Sequence, residues 1–268
     1  MQFMDLALAK RLERASAMSG KACAEGAQRL HPELGAAAEE IAGGIAVYAG
    51  VDSPVTQALG IGLDGPVSPA GLDRLEQFFR SRGAGVAIEL CPLAGLPLYE
   101  ALAKREYRLV EVSNIFVRDL NAADEFTAPA NGVEVRQASP EDEKLFTRTV
   151  SQGFAEQAPI TQELLDVMAG FFHSVNTRSF LAFVDGAAAG GASAFAFNGV
   201  AGMFGAATLP EFRGRGVQSA LLAARLKWAA TEGCDLAKGV TLPGSTSQRN
   251  HERFGFRVAY TRTKLVCA

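Results

Sequence analysis

Two short stretches of this chain combine residue types and spacing that could do chemistry. The first is Leu209-Pro210-Glu211-Phe212-Arg213-Gly214-Arg215-Gly216-Val217-Gln218-Ser219-Ala220-Leu221-Leu222, set between an apolar run and an amphipathic one. Glycines let successive backbone amides turn into one concavity, and the free N–H groups of the helix that follows add the positive end of its dipole. A pyrophosphate can be held there largely by main chain, from Gly214 through Gly216 and Val217 to Gln218. Arg213 and Arg215 can add charge-assisted bonds to phosphate oxygens. The second stretch is Pro243-Gly244-Ser245-Thr246-Ser247-Gln248-Arg249-Asn250-His251-Glu252-Arg253-Phe254-Gly255-Phe256, some 40 residues further on.

The elements that must position these residues follow from pattern and punctuation. Val133–Arg136 alternates as a strand, and Ser139 caps a helix whose first turn holds Pro140 and two acids. Helices are predicted to about Phe154 and over Gln162–Phe172. Three strands follow, Phe180–Val184, Ala187–Asn198 and Val200–Thr208, joined by the hairpin signals Asp185-Gly186 and Asn198-Gly199. A helix from Val217 to about Glu232 should turn Val217, Ala220, Leu221, Ala224 and Trp228 to the sheet. Leu236–Leu242 reads as strand, Ser247–Arg253 as helix and Phe256–Val266 as strand. This order defines an α+β sheet covered by helices.

Taken with these elements, the two stretches resemble the GNAT acetyltransferase superfamily over roughly residues 133–268. Its coenzyme A loop reads Gln/Arg-x-x-Gly-x-Gly/Ala, matched by Arg213 and Gly216 and departed from at Gln218. Its closing segment has a variant Ser-x-x-Arg-Asn-x-x-Arg-x-Gly-Phe. The resemblance implies acetyl-CoA as acyl donor, no metal, and transfer to an amine of a small molecule or peptide by direct attack. It also implies coenzyme contacts from Thr208, beside the pantetheine amides, and from Ser245, where the family often has Asn. His251 stands where the family often has the Tyr that protonates the leaving thiolate, a task imidazole can also perform. The general base is not readable; Glu134, Glu156 and Glu211 are available acids. A non-catalytic acyl-CoA binder or sensor is the competing reading, separable by release of free thiol with an amine present.

The first half reads differently. Residues 1–42 have a helical composition interrupted at His31-Pro32; Ile45–Ala49, Ala58–Leu63 and Val86–Leu90 read as strands, Gly71–Ser81 and Leu96–Lys104 as helices, and Tyr107–Val117 as a strand pair or long strand. Laid over the second half with a shift of about 150 residues, Gly83 meets Gly233, Val86–Leu90 meets Leu236–Val240 and Tyr107-Arg108 meets Phe256-Arg257 one residue out of step. The chain is therefore expected to be two GNAT-like domains in tandem: a degenerate one over 1–120, a linker over 121–132 and the acetyltransferase domain over 133–268. Gly60-Ile61-Gly62-Leu63-Asp64-Gly65 imitates a dinucleotide fingerprint. Pro66 and Pro69 follow where amides would be needed, and Leu63–Ser68 stands opposite Arg213–Gln218 without its arginines, so no coenzyme site is expected there.

Composition is consistent with this. The chain has 268 residues, 48% hydrophobic and 21% charged, with a net charge of −3 and no Lys/Arg-rich run, so no nucleic-acid face is expected. The start Met1-Gln2-Phe3-Met4-Asp5 lacks signal-peptide features and no segment approaches a membrane span, which leads to the expectation of a cytoplasmic protein without a membrane partner. Cys23, Cys91, Cys234 and Cys267 lie far apart and suggest neither a zinc site nor a disulfide framework. The charge balance weakly favours a cationic small-molecule acceptor, and oligomeric state is not legible.

Overall fold

The computed structural model describes residues 4–121, 124–127, 132–156 and 158–268. The first helix, α1 (Leu6–Leu30), starts on Asp5, whose side chain accepts from the Leu8 N–H, and stops at His31 before Pro32. The helical reading of the first 42 residues thus ends early. Ala37–Ile41 is strand β1, because Ala42 and Gly43 take left-handed conformations and fold it onto β2 (Gly44–Tyr48). Sheet pairing overrides the local preference of this Ala/Glu run. β3 spans only Gln57–Leu59, shorter than expected, since Gly60 and Gly62 both take positive φ and turn the chain. α2 (Pro69–Arg80), β4 (Val86–Leu90) and α3 (Leu96–Ala103) follow, and then β5 (Arg108–Asp119), one long strand.

The second half runs β6 (Val133–Gln137), α4 (Glu143–Ala155), α5 (Gln162–Phe172), β7 (Thr177–Val184), β8 (Ala187–Phe197), β9 (Val200–Thr208), α6 (Val217–Thr231), β10 (Leu236–Thr241), α7 (Thr246–Arg253) and β11 (Arg257–Cys267). Ser139 caps the turn ahead of α4 as expected, and Asp142 reciprocates to complete a capping box. Asp185-Gly186 and Asn198-Gly199 all lie at positive φ, as two-residue hairpin turns require. On α6 the buried stripe is broader than the expected one. It takes in Leu222, Arg225, Leu226 and Ala229, while Ala224 and Trp228 sit at its margin.

All eleven strands join one sheet in the order β1-β2-β3-β4-β11-β5-β10-β9-β8-β7-β6. The order is nearly symmetric about the central antiparallel pair β11–β5, with four strands outside β11 and five outside β5. β4 and β10, matched by the 150-residue shift, flank that pair and each runs parallel to the strand before it, β3 or β9. The last strand of each half is inserted into the other: β5 pairs with β10, and β11 with β4. The two halves are GNAT-like and tandem, and they share their centre. Of the expected linker, residues 122–123 and 128–131, including Pro129 and Asn131, lie outside the described residues, as do Met1–Phe3. Its described part folds back, with the Arg118 guanidinium 4.7 Å from the Phe126 ring centroid and 3.4 Å from Asp124.

Helices α1, α4 and α5 cover one face and α2, α3, α6 and α7 the other. Leu8, Leu12 and Ala15 of α1 pack on Ile115, Val200, Leu236 and Tyr260, so the first helix of one half roofs strands of the other. α1 and α5 cross where Gly26 meets Gly170; a Cβ at Gly26 would lie 2.4 Å from the Gly170 carbonyl oxygen. Backbone cannot yield as a flexible side chain can. Gly26→Ala gains up to about 1 kcal/mol of helix propensity but is expected to lose about 1–3 kcal/mol to overpacking. Thermal unfolding should therefore show a net fall in midpoint, of a few degrees, where an unhindered helical Gly→Ala would raise it.

Candidate functional site: a cleft at the start of α6 and a gap in the sheet

β9 leads through a tight turn at Pro210–Phe212 into Arg213–Gly216 and then α6. Gly214 (φ 78°) and Gly216 (φ 85°) take the left-handed conformation that side chains resist. Gly216 is the N-cap and offers no side chain, and the first helical bond runs from Ala220 N to Gly216 O at 3.0 Å. The amides of Val217, Gln218 and Ser219 therefore open the helix uncapped, at the positive end of its dipole. They face a cleft of about 730 Å³.

The cleft is lined by both sequence motifs. Thr208, Arg213, Gly214, Gly216, Val217 and Gln218 form one wall, and Thr246, Ser247, Asn250 and Arg253 of α7 the other. Gln218 does more than the loop pattern implied: its Nε2 donates to Ser247 Oγ at 3.3 Å, and its Oε1 accepts from Asn250 Nδ2, so it ties the two motifs together. Arg213 lies at the rim, 3.0 Å from Glu156. Arg215 and Ser245 do not line the cleft. Arg215 pairs with Asp185 at 3.1 Å, and Ser245 caps α7 by accepting from Gln248 N at 3.1 Å. Sequence reasoning missed Thr246, Ser247, Asn250 and Arg253. Their spacing places them on one face of a helix, and that periodicity was the available signal. Of the candidate bases, Glu134 and Glu211 are exposed away from the cleft, and Glu156 meets it only through Arg213.

His251 is the principal correction. It sits on the other side of α7 from that face and is only 6% exposed. Its Nδ1–H donates to the Ser247 carbonyl at 2.8 Å, and its ring packs edge-on against Phe256 and beside Phe116. Nε2 points at β10, where a Cβ on Gly239 would come within 2.5 Å of it. Burial pushes the imidazole down to about 4, aided by the charge of Arg225 and opposed by the Ser247 hydrogen bond. A neutral ring wedged between helix and sheet does not deliver a proton to the cleft.

The cleft ends at a break in the sheet. β9 and β10 pair only from Val200–Leu236 to Met203–Gly239, although β9 continues to Thr208 and β10 to Thr241. Beyond that point the β9 edge facing β10 has no strand partner. A register shift between β8 and β9, where Gly191 opposes Ala207 and Ser193 opposes Phe204, marks the bend. On the other face of the same break lies a smaller cavity of about 160 Å³ beneath α1 and α5, with Lys238 and Arg262 in its wall.

The first half has a smaller cleft at the matching place, about 410 Å³ and lined by Gly62, Leu63, Asp64, Val67 and Leu98, and the start of α2 does not line it. Ser68 caps α2 by accepting from Gly71 N at 3.1 Å, and Pro69 occupies its first turn. Leu98 of α3 packs so closely on Gly62 that a Cβ there would lie 2.6 Å from its Cδ2. Where the second half leaves amides and space, the first half places a cap, a proline and a leucine. Among the described residues, no group of three or more His, Cys, Asp or Glu is arranged to hold a metal, and no helix is long and apolar enough to cross a membrane.

Residues 144–256 match the Acetyltransferase (GNAT) family. Among solved structures, a GCN5-related N-acetyltransferase from Kribbella flavida is similar over 97% of this chain and 95% of its own, with a TM-score of 0.69 at 19% identity. A GCN5-related N-acetyltransferase from Sphaerobacter thermophilus is similar over 96% and 93%, with a TM-score of 0.60 at 14% identity. A tandem GNAT protein from the clavulanic acid biosynthesis pathway is similar over 98% and 94%, with a TM-score of 0.60 at 16% identity. No curated protein matches the chain.

The buried imidazole has a measurable consequence. Its folded value, about 4, lies below its unfolded value near 6.5. Its contribution to stability is present above about pH 6.5 and is lost as pH falls from there towards 4, because only the unfolded chain binds the proton. The loss is on the order of 3 kcal/mol. His251→Phe, which keeps the ring packing, should flatten this part of the stability profile in urea unfolding between pH 7 and pH 4; an unchanged slope would show that the ring is free to titrate.

Proposed function

Because the chain belongs to the GNAT superfamily, with that family's domain at residues 144–256, we propose that residues 133–268 transfer an acetyl group from acetyl-CoA to a primary amine of a small molecule or peptide, and that residues 1–120 bind no coenzyme and serve as scaffold and as a wall of the acceptor site. The observation that carries this reading is the uncapped start of α6 opening into a cleft that ends at the break between β9 and β10.

In this reading the diphosphate of the donor lies on the amides of Val217, Gln218 and Ser219, with Arg213 released from Glu156 to a phosphate oxygen. The pantetheine arm runs along the unpaired β9 edge past Thr208, and its amides pair with that main chain. The thioester then reaches the break, where the amine attacks from the opposite face, and main-chain amides of the free β9 edge meet the oxyanion. Ser247 Oγ, which accepts from Gln218 Nε2, keeps its own O–H for the leaving thiolate. Direct attack is supported by the cysteines: none lines the cleft, and burial pushes Cys23 up to about 12 and Cys91 up to about 11, far from a nucleophilic thiolate.

Calorimetric titration with acetyl-CoA tests the reading. One site per chain is expected, weakened about tenfold or more by Arg213→Ala, as loss of a charge-assisted contact implies, and less than about threefold by Arg215→Ala, which removes an exposed pair outside the cleft. Release of free thiol with an amine present marks the transferase; binding without turnover of any amine marks an acyl-CoA sensor. Absence of binding would overturn both.

A further inference from the structure

The smaller cavity behind the sheet break has a polarity that the transferase reading does not require. Most of its wall is apolar, with Phe171 and Phe204 in ring contact at 4.6 Å and Met203 and Val240 beside them. Its two cationic side chains are in different situations. Arg262 is 5% exposed and ion-paired to two carboxylates: Nε lies 2.7 Å from Glu89 Oε2 and Nη1 lies 3.3 Å from Glu13 Oε2. Lys238 is 4% exposed, and its Nζ donates to the Leu12 carbonyl at 3.3 Å. Among the described residues no carboxylate lies within 4.0 Å of it. Burial, and then the charge of Arg262, hold its ammonium down to about 8, so it still carries its proton at pH 7. Glu13 and Glu89 act on it through space in the opposite sense, but of its three N–H donors one alone has a hydrogen-bond partner among the described residues. Gln57 of β3 also lines the cavity, and its Oε1 is buried without a hydrogen-bond donor.

An ammonium with donors to spare and an amide oxygen without a donor, in the wall of one cavity, describe the molecule that completes it. Resting on the transferase reading, we propose that this cavity is the acceptor pocket and takes a small apolar amino acid, with its carboxylate on Lys238 Nζ and its amine between Gln57 Oε1 and the break in the sheet. The cavity volume of about 160 Å³ suits a molecule of that size. Glu13 and Glu89 are committed to Arg262, so nothing in the wall receives a second cation. The N–C bond forms as the C–S bond of the thioester breaks, and the proton that the nitrogen sheds balances the one the leaving thiolate takes up. The products are an N-acetyl amino acid and coenzyme A.

The test uses the full chain and three probes of one shape: L-valine, L-valinamide and isobutylamine. With wild-type protein, valine is expected to release thiol with a kcat/KM at least about tenfold above either analogue, the loss that follows from removing one charge-assisted contact. Lys238→Met should raise KM for valine about tenfold or more, abolish the discrimination, and leave acetyl-CoA affinity unchanged. Calorimetric binding of valine without donor, lost in Lys238→Met, reads the pocket independently of turnover. Equal turnover of isobutylamine, a preference that survives Lys238→Met, or no binding and no turnover of valine by protein that binds acetyl-CoA would each overturn the proposal while the transferase reading stands. Failure to bind acetyl-CoA sinks that reading, and valine binding then decides the pocket alone. Should Lys238→Met not fold, the comparison of valine with valinamide on wild-type protein decides it.

Discussion

The centre of this molecule depends on one buried guanidinium. Arg262 of β11 reaches both Glu13 of α1 and Glu89 of β4, and Tyr260, two residues before it, donates its hydroxyl to Glu13. Removing such charges from water costs several kcal/mol for each ion, a cost offset only while every partner is present. The partners come from both halves, because the exchange of last strands carries β11 of the second half against β4 and α1 of the first. Loss of the arginine would leave two carboxylates buried without a cation. The ion cluster and the strand exchange are thus one constraint. Since Glu13 and Glu89 are both in contact with Arg262, Lys238 of β10 is left with the Leu12 carbonyl and with no carboxylate in direct contact among the described residues.

A duplicated frame has been put to unequal use. Gly83 and Gly233 each close a helix ahead of a matched strand, and β4 and β10 occupy equivalent places on either side of the central pair. The difference lies in what precedes each helix. The amides at the start of α6 are left to a ligand, whereas those of α2 are met by the Ser68 hydroxyl and shortened by Pro69. A helix start has a fixed number of free amides, and each half satisfies them in its own way. In the first half the matching space is narrowed by Leu98 against Gly62. That half contributes instead through α1, which covers strands of its partner and brings Ala15, Ser16 and Ser19 into the wall of the smaller cavity.

The local features were legible in the sequence because their causes are local. The loop Arg213–Gln218, the capping box at Ser139, the two hairpin turns and the boundaries of α5 follow from residues within a few positions of each other. His251 was misjudged because the direction of a side chain on a short helix is set by what the helix lies on: Phe116 of β5 arrives from the other half, and Gly239 leaves the ring room to turn inward. Lys238 looked like one residue of an apolar strand, since its burial and its spare donors arise only when α1, β11 and β10 come together across more than 200 positions of sequence. Net charge does not report on this cavity for the same reason. A formal charge of −3 is spread over the surface, while the wall of the smaller cavity carries Lys238 and Arg262.

The break in the sheet is itself held by a buried cation. Arg225 of α6 is 1% exposed, and its Nη1 donates to the carbonyls of Ser193 and Phe204, the residues that face each other where the β8–β9 register shifts. Burial lowers its guanidinium to about 9, which leaves it charged at neutral pH, and a charged donor bonds a carbonyl more strongly than a neutral one. By holding those two carbonyls it fixes the bend that carries β9 away from β10 after Met203. The same residue lies two helical turns along from Gln218, which fastens α7 to α6 across the coenzyme cleft. Phe204, whose carbonyl Arg225 holds, presents its ring to the smaller cavity. The glycine loop Arg213–Gly216, the break between β9 and β10 and the wall behind it are therefore fixed by one helix, and a displacement of α6 would alter all three together.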